Sequence, residues 1–173
     1  MAPIADPVPA ECQPPSHPDR LRVIRSTKAF GSRAVSLIDL PAGAVFAPIT
    51  TASPGINAYS SVQTGPNTHI ELNSDLLYIN HSCDPSLVFD MKQMQVRVAD
   101  KRPLKAGDTL TFFYPSTEWE MAQPFQCTCG AGEKTCKGWI SGAQKMSQEE
   151  LEGYWLNDHI VALLQQRDQE KKA

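Results

Sequence analysis

The sequence predicts a mainly β domain that ends in one or two helices. Short apolar runs alternate with turn-forming residues from Leu21 to Tyr114. Many short strands at this spacing are typical of a β-dominated domain without repeated βαβ units. A helical pattern follows in the C-terminal part, and 173 residues are enough for one domain with a buried core.

The charge balance excludes several classes of function. Sixteen Lys and Arg against nineteen Asp and Glu give a formal net charge of −3 with no basic block, so we expect no direct nucleic-acid binding and a basic or neutral substrate.

No apolar run approaches the roughly 18 residues of a membrane-spanning helix, and the opening MAPIADPVPA lacks the basic and apolar parts of an export signal. We therefore expect an intracellular protein, cytoplasmic or nuclear, without a membrane partner.

The N-terminal segment, residues 1–18, contains six prolines and few large apolar side chains, which predicts a flexible arm. Cys12 in this arm is interpreted as a bystander. The predicted strands that follow carry LRVIR, AVSLI, AVFAPI, LLYI, SLVFD, QVRVAD and TLTFFY, separated by turn signals that include SPG and TGPN. Gly43 and Gly107 each close a turn that leads into a strand.

The C-terminal segment carries two helix starts. Ser147 with Glu150 three residues later forms a capping-box signature ahead of an apolar stripe. A second start at Asn157 or Asp158 precedes a further stripe. We expect one bent helix or two short ones, whose apolar face packs on the same domain or on a second copy of the chain.

A cysteine cluster near the end of the β region indicates a metal site. CTCGAGEKTCKGW spaces three cysteines as C-x-C-x6-C: Cys127, Cys129 and Cys136. In a reducing compartment, clustered thiols favour a metal over disulfides, and three thiolates leave a tetrahedral zinc site one ligand short. Cys83 is the expected fourth ligand, with His81 or His69 as alternatives. Four cysteines would make the zinc structural, because no position stays open for water.

LYINHSCDPS, residues 77–86, places an Asn, a His and a Cys side by side. One interpretation is a nucleophilic pair of Cys83 and His81. Residues two apart on a strand share a face without their side chains having to meet, and no orienting Asn or Asp is evident. The metal-ligand interpretation of Cys83 therefore ranks above it and leaves Asn80 and His81 available for another role.

Three segments, in order, resemble the motifs of SET-domain methyltransferases. LYINHSCDPS resembles R-F-I-N-H-S-C-x-P-N, LKAGDTLTFFY resembles G-E-E-L-x-F-D-Y, and CTCGAGEKTCKGW resembles the post-SET cysteine motif. STKAFGSRAVSLIDLPAGAVF, further upstream, is similar to the opening SET strands. The resemblance extends from Leu21 to Ser141.

The resemblance implies a SET fold of small curved sheets with a C-terminal pseudoknot, a zinc-binding post-SET loop and a C-terminal helix or helices, without a pre-SET region. The domain boundaries that follow place the SET domain at residues 19–120, the post-SET loop at 121–141 and the helical extension at 142–173. A pseudoknot would be one of the rare exceptions to unthreaded connections.

The resemblance also implies S-adenosylmethionine as methyl donor. Asn80 matches an amide that binds the amino acid end of the donor, and His81 matches a backbone position against the adenine. The full set of implied cofactor-binding residues is Lys28, Ala29, Phe30, Gly31, Tyr78, Asn80, His81 and Trp139.

Tyr114 matches the catalytic tyrosine of this family. Methyl transfer from a sulfonium requires an aligned, neutral amine and stabilisation of a positively charged methyl, and a phenol oxygen beside the sulfur meets the last requirement. Candidate aromatic walls of a substrate channel are Phe112, Phe113, Trp119 and Phe125. Phe112 falls where family members set the number of methyl groups transferred. For Phe112 and Phe113 a plain place in the strand core is the alternative.

Several departures from the family pattern concern the substrate. AFGSR keeps only Gly31 of the usual G-x-G, Leu77 replaces an Arg, Phe113 replaces an acidic residue, and the last cysteine spacing is longer. The variable insert that builds one wall of the peptide groove, Ile49 to Tyr78, is short.

The first functional hypothesis is protein-lysine N-methylation by in-line transfer, on a histone tail or another protein. The short insert supports an alternative, a small-molecule reaction on the same fold, either methylation or S-adenosylmethionine-assisted cyclisation in a biosynthetic pathway. The third hypothesis is a non-catalytic binding module stapled by zinc.

Overall fold

A computed structural model describes residues 14–172, which form twelve short strands, two α-helices and three 3-10 turns. The strands are β1 (Leu21–Ile24), β2 (Arg33–Ser36), β3 (Val45–Pro48), β4 (Ser53–Gly55), β5 (Ser61–Gly65), β6 (Thr68–Glu71), β7 (Asn80–His81), β8 (Leu87–Asp90), β9 (Gln95–Val98), β10 (Thr111–Phe112), β11 (Phe125–Gln126) and β12 (Trp139–Ile140). The helices are α1 (Gln148–Leu151) and α2 (Asp158–Glu170). The predicted mainly β class is confirmed.

The strands are distributed over small sheets. Two of these sheets have three strands, in the orders β3-β9-β8 and β4-β6-β5, and all pairings within them are antiparallel. β1-β2 and β11-β12 each form a two-stranded antiparallel sheet. The pair β7-β10 is parallel.

Part of the predicted flexible arm, residues 1–13 with Cys12, lies outside the described residues.

The main apolar core lies around the sheet β3-β9-β8. Along β9, buried and partly exposed residues alternate, as expected for a strand with one face on the core. Phe89 of β8 stacks on Phe112 of β10, with ring centroids 4.1 Å apart, and Phe46 of β3 is completely buried. The core therefore holds β10 and the chain that follows it in a fixed position.

The parallel pair β7-β10 positions the candidate site. Asn80 lies opposite Thr111 and His81 opposite Phe112, and the backbone N–H of Ser82 donates to Phe112 O over 3.0 Å. Two segments far apart in sequence, NHSC and TFFY, thus run side by side in the same direction. The residues just after each strand reach the same end of the sheet.

The segment LLYI, expected as a strand, forms instead a 3-10 helix over Asp75–Tyr78. Asp75 begins this helix and exchanges two hydrogen bonds with Ser16: Ser16 N donates to Asp75 Oδ2 (2.9 Å), and Asp75 N donates to Ser16 Oγ (2.7 Å). These long-range hydrogen bonds anchor the 3-10 helix, whose Leu76 is buried. Local sequence propensity cannot predict such contacts with Ser16.

The short insert forms the sheet β4-β6-β5, so SPG, expected as a turn, becomes the edge strand β4. Pro54 is tolerated there because an edge strand need not donate every backbone N–H to a neighbour. The TGPN segment is the turn between β5 and β6, as expected.

The C-terminal segment forms two helices, which is one of the two arrangements that the sequence predicts. Ser147 Oγ accepts from Glu150 N (3.1 Å) and Ser147 N donates to Glu150 Oε2 (2.7 Å), which completes the predicted capping box. α2 follows Asn157. Arg167 near the end of α2 donates to the carbonyls of Gln144 and Met146, both at 2.8 Å, so this helix packs on its own domain.

Within residues 14–172, no helix has both the length and the apolar character that crossing a membrane requires.

Candidate active site and metal centre

Four cysteines converge on one point. Each offers one Sγ atom, and the four atoms lie within 4.8 Å of one another; they belong to Cys83, Cys127, Cys129 and Cys136. Cys83 Sγ and Cys127 Sγ are 3.9 Å apart. A tetrahedral ion with metal–sulfur bonds of about 2.3 Å separates its ligand sulfurs by about 3.8 Å. The donor set and spacing therefore fit a four-thiolate metal site, and neither His81 nor His69 belongs to it.

Turns after β7 and between β11 and β12 deliver these thiols. Cys83 lies two residues beyond β7, and Cys127 directly follows β11. Gly130 and Gly132 take positive φ angles of 74° and 84°, and Cys136 N donates to Gly132 O over 2.8 Å. Glycine has no Cβ to oppose this conformation, so the loop can fold back on itself.

Burial disfavours the thiolate form of three of the four cysteines. Burial raises the pKa of Cys83 to about 11 and raises that of Cys127 even further above the ordinary value. At Cys129 burial also disfavours the thiolate, but hydrogen bonds, among them backbone bonds at Cys83 and Ala131, outweigh it and lower the pKa to about 7. A divalent cation would offset the cost of the buried thiolates.

His81 lies between the metal centre and Tyr114. Its Nδ1 is 3.2 Å from the backbone N–H of Tyr114 and therefore accepts a hydrogen bond. The proton of the neutral ring must then be on Nε2, which donates to Cys83 Sγ at 3.3 Å. Burial lowers the pKa of His81 to about 4, so the ring is neutral near pH 7. His81 thus hydrogen-bonds one cysteine of the cluster without belonging to the cluster.

A cavity of about 540 Å³ opens beside this centre. Its walls come from the loop after β1, the insert, β7, the turn after β10 and the loop around β11. They consist of Phe30, Asn57, Ala58, Tyr59, Ser61, Asn80, His81, Tyr114, Glu118, Met121, Ala122, Gln123, Pro124, Phe125, Cys127, Thr128 and Cys129. The cysteine cluster therefore forms part of one wall.

Aromatic rings surround Tyr114 at the cavity wall. His81 and Phe125 meet its ring edge to face, with centroids 5.3 Å and 6.1 Å away. Phe30 and Tyr59 form a second edge-to-face pair, with centroids 5.8 Å apart. π faces of this kind attract cations, so the cavity suits a ligand with an apolar body and a positive charge.

Tyr114 is held firmly and stays neutral. Its backbone O accepts from Thr117 N and Glu118 N at 3.0 and 2.9 Å, in addition to the bond from its N–H to His81. Burial, together with the charge of Glu118, raises the pKa of its phenol well above the ordinary value. The phenol can therefore offer oxygen lone pairs but does not ionise at neutral pH.

Asn80 joins the cavity floor to the loop after β1. Its Nδ2 donates to Ser32 O over 2.8 Å. In that loop Phe30 has a φ of +56°, and a Cβ at Gly31 would lie 2.5 Å from Ser26 Oγ. Gly31 is thus required by close packing. Of the predicted stretch Lys28 to Gly31, only Phe30 lines the cavity.

Two further predicted cofactor residues lie away from the cavity. The ring of Tyr78 lies under the guanidinium of Arg25, 4.4 Å from its centre. The side chain of Trp139 is 60% exposed on β12. Neither is among the cavity residues.

The four predicted channel aromatics divide in the structure. Phe125 lines the cavity. Phe112 stacks on Phe89 in the main core, and Phe113 stacks on Tyr154, with centroids 3.7 Å apart, in the core under the C-terminal helices. Trp119 packs against that second core. Successive residues of a strand face opposite sides, which places Phe112 and Phe113 in different cores.

Sequence reasoning missed Glu118, a buried acid in the cavity wall. Burial raises its pKa to about 7, although hydrogen bonds from Gln63 and Thr117 favour the carboxylate. The signal available in the sequence was an acidic residue within the aromatic stretch FFYPSTEW.

Sequence reasoning also missed the cavity wall that the insert builds. Asn57 Nδ2 donates to Glu120 O over 3.1 Å, which brings the loop between β4 and β5 against the chain after Tyr114. Ala58, Tyr59 and Ser61 also reach the cavity.

Comparison with known proteins gives a close relative. Methyltransferase flvH of Aspergillus flavus is 56% identical over 151 residues, which cover 87% of this chain and 84% of that protein. No protein-family model matches the chain.

Proposed function

This chain belongs to the family of the methyltransferase flvH, and we propose that it is an S-adenosylmethionine-dependent N-methyltransferase with a SET-type fold. The observation that carries the proposal is the meeting of Asn80, His81 and Tyr114 at one cavity. These residues come from the two segments that resemble the cofactor and catalytic motifs of SET enzymes. The small sheets and the adjoining four-cysteine cluster agree with that architecture.

The cavity fits a methyl donor in size and chemistry. Its volume of about 540 Å³ falls within the range of roughly 300–1,000 Å³ that is common for small-molecule sites. Asn80, Phe30 and the backbone at His81 would hold the donor. When bound, the donor supplies an electrophilic methyl group on a positively charged sulfur.

The side chains of this chain would do the remaining work of catalysis. Tyr114 would offer a neutral phenol oxygen to the positively charged methyl, in a position fixed by its three backbone hydrogen bonds. The aromatic walls, including Phe125, would exclude water and align the attacking nitrogen. Neither role requires Tyr114 to ionise, in agreement with its raised pKa.

Two classes of acceptor amine suit this site. A protein lysine, as on a histone tail, is the first candidate, because its apolar stem and positive head match aromatic walls with an acid among them. A small-molecule amine is the second, and the insert favours it. Asn57 bonds the chain at Glu120 and closes one side of the cavity, which suits a compact ligand better than an extended peptide.

A zinc ion bound by the four cysteines would have a structural role. It would tie Cys83, two residues beyond β7, to the β11-β12 loop, which lines the cavity through Cys127 and Cys129. Zinc would thus keep one cavity wall in place, with no open position for chemistry.

The test is calorimetric titration of S-adenosylmethionine and S-adenosylhomocysteine into wild type, Asn80→Ala and Asn67→Ala. Asn67 lies on an exposed turn outside the cavity and is the matched control. We expect binding to wild type and Asn67→Ala, and loss of binding in Asn80→Ala. Failure of the wild type to bind either compound would refute donor dependence and leave a zinc-stapled binding module.

Mass spectrometry then separates the acceptor classes. Protein and donor are incubated with histones, and separately with a panel of small alkylamines. One added methyl on a histone lysine supports the first candidate. Methylation confined to the small amines supports the second candidate.

A further inference from the structure

Glu118 is a buried acid that the proposed mechanism does not yet use. It lies two residues beyond the 3-10 helix Tyr114–Ser116, lines the same cavity as Tyr114, and is only 7% exposed. A buried carboxylate is costly unless it has partners. Its presence in an aromatic cavity therefore requires a reason.

The partners of Glu118 hold it without neutralising it. Its Oε1 accepts from the backbone N–H of Gln63 (2.9 Å) and from Thr117 Oγ1 (3.0 Å), whereas Oε2 takes part in neither bond. Gln63 is itself fixed, because its Oε1 accepts from Trp119 N over 2.8 Å. Among residues 14–172, no Lys or Arg forms an ion pair with Glu118. Two hydrogen bonds thus fix Oε1, and no Lys or Arg of the described residues neutralises the carboxyl group.

We propose that Glu118 binds the ammonium group of the acceptor through Oε2 and takes its proton before methyl transfer. This inference rests on the proposed function and deepens it, because it assigns the acceptor to the class of alkylamines that are cationic in water. A neutral alcohol or thiol acceptor would leave Glu118 without an ionic partner.

The proton and electron balance is simple. An alkylammonium has a pKa of about 10.4 and no lone pair for attack. Its N–H bond breaks, the electron pair stays on nitrogen, and the proton forms an O–H bond on Glu118. The nitrogen lone pair then forms the N–CH₃ bond as the S–CH₃ bond breaks, with that electron pair left on sulfur. The protonated Glu118 afterwards returns its proton to water.

Burial suits Glu118 to this exchange. A carboxyl whose pKa lies near 7 holds and releases a proton near neutral pH, which is the condition for an efficient general base. The neighbouring Tyr114 cannot serve as this base, because its pKa is raised well above neutrality. His81 cannot replace Glu118, since its Nδ1 already accepts from Tyr114 N and its Nε2 donates to Cys83.

Amine binding tests the inference apart from turnover. n-Butylamine and its neutral analogue n-butanol are titrated by calorimetry into protein saturated with S-adenosylhomocysteine, using wild type, Glu118→Gln and Glu120→Gln. Glu120 is an exposed acid two residues away and is the matched control. We expect butylamine affinity to fall roughly 10-fold or more in Glu118→Gln only, which corresponds to losing one desolvated ion pair. Butanol affinity should not differ between the proteins.

The pH dependence gives a second readout. Butylamine affinity of wild type should rise more steeply from about pH 6 to about pH 8 than that of Glu118→Gln, because Glu118 ionises in this range only in wild type. The other titratable groups at the cavity are His81, Tyr59, Tyr114, Cys127 and Cys129. They are unchanged in Glu118→Gln, so the difference between the two proteins isolates Glu118.

The outcomes are distinct. If Glu118→Gln does not fold, Glu118→Asp replaces it. This variant keeps the charge but moves the carboxylate, so its butylamine affinity should be lower than that of wild type without being lost. Unchanged butylamine affinity in a folded Glu118 variant that still binds S-adenosylhomocysteine overturns the inference and leaves the proposed function intact. If wild type does not bind S-adenosylhomocysteine, the proposed function fails and the inference fails with it.

Discussion

The backbone N–H of Tyr114 donates to Nδ1 of His81 over 3.2 Å, and this bond links the cavity residue Tyr114 to the cysteine cluster. Through its other nitrogen, His81 donates to Cys83 Sγ at 3.3 Å. The ring therefore holds the start of the 3-10 helix at Tyr114 and one cysteine of the cluster at the same time. Both bonds depend on a neutral imidazole with its proton on Nε2.

Replacing His81 with Ala should weaken both sides of this bridge. The buried N–H of Tyr114 would lose its acceptor, which costs about 1–3 kcal/mol of folding stability, and zinc should dissociate more readily. Thermal denaturation and zinc release to a chelator measure the two effects. His17→Ala is the control, since His17 lies far from the cluster in sequence and does not line the cavity. Equal stability of both variants would contradict the bridging role.

Metal content tests the cysteine cluster. We expect purified wild type to contain about one zinc per chain and Cys83→Ser to contain far less, because a tetrahedral site would lose one thiolate. Elemental analysis measures the content, and denaturation with and without chelator measures its stabilising effect. Cys12→Ser, a change outside the described residues, should keep its zinc. Zinc well below one per chain in wild type would refute the assignment.

Tyr114→Phe removes only the phenol oxygen. Turnover on the true acceptor should fall on the order of 100-fold, whereas donor affinity should change little. Tyr154→Phe provides the comparison, because its OH donates to Cys83 O over 2.6 Å at the metal loop. That variant should lose about 1 kcal/mol of stability. Turnover of Tyr114→Phe equal to wild type would remove this residue from the mechanism.

Glu118 should make folding stability depend on pH. Its pKa rises from an ordinary 4.5 to about 7 on folding, so the folded state binds more protons in this window and stability falls as pH rises through it. The loss is about 3 kcal/mol and is complete above about pH 7. Buried His81 has the opposite sign, because its pKa falls on folding and stability rises from about pH 4 toward its ordinary value of 6.5.

Glu118→Gln isolates the carboxyl from these other groups. The difference in unfolding free energy between Glu118→Gln and wild type should grow in favour of the variant from about pH 5 to about pH 7. Denaturant titrations at a series of pH values measure it, with Glu120→Gln as the exposed control. A difference that does not change with pH would show that Glu118 has an ordinary pKa.

Among the polar residues of the C-terminal helical segment, Asn157 should contribute most to folding stability. Its side chain accepts from Met91 N and donates to Phe89 O and Ser116 O, each at 2.9 Å, and is almost fully buried. Asn157→Ala should cost about 3 kcal/mol, because three backbone groups lose a buried partner. Asp158→Asn breaks the exposed ion pair with Lys92 and should cost much less than Asn157→Ala, because solvent screens that pair. Equal losses by chemical denaturation would contradict this ranking.

The elements that the sequence predicted well depend on local contacts. The capping box at Ser147 needs only residues within one turn, and the strand SLVFD needs only its apolar residues and a turn on each side. Where long-range contacts decided the conformation, prediction failed. LLYI became a 3-10 helix anchored by Ser16, and SPG became an edge strand against β6.

The candidate site also combines features that local sequence predicts with features that long-range contacts set. Residue types and their spacing were enough to predict the chemical groups: four thiols in a metal-binding pattern, an Asn-His pair and a tyrosine after an apolar strand. Which side chains face the cavity depends instead on how distant segments pack together. Phe125 lines it, Phe112 and Phe113 fill two different cores, and Glu118 joins it, because the parallel pairing of β7 with β10 and the packing of the insert set those directions. Burial then gives Glu118 a pKa near 7, a property that no local stretch of sequence contains.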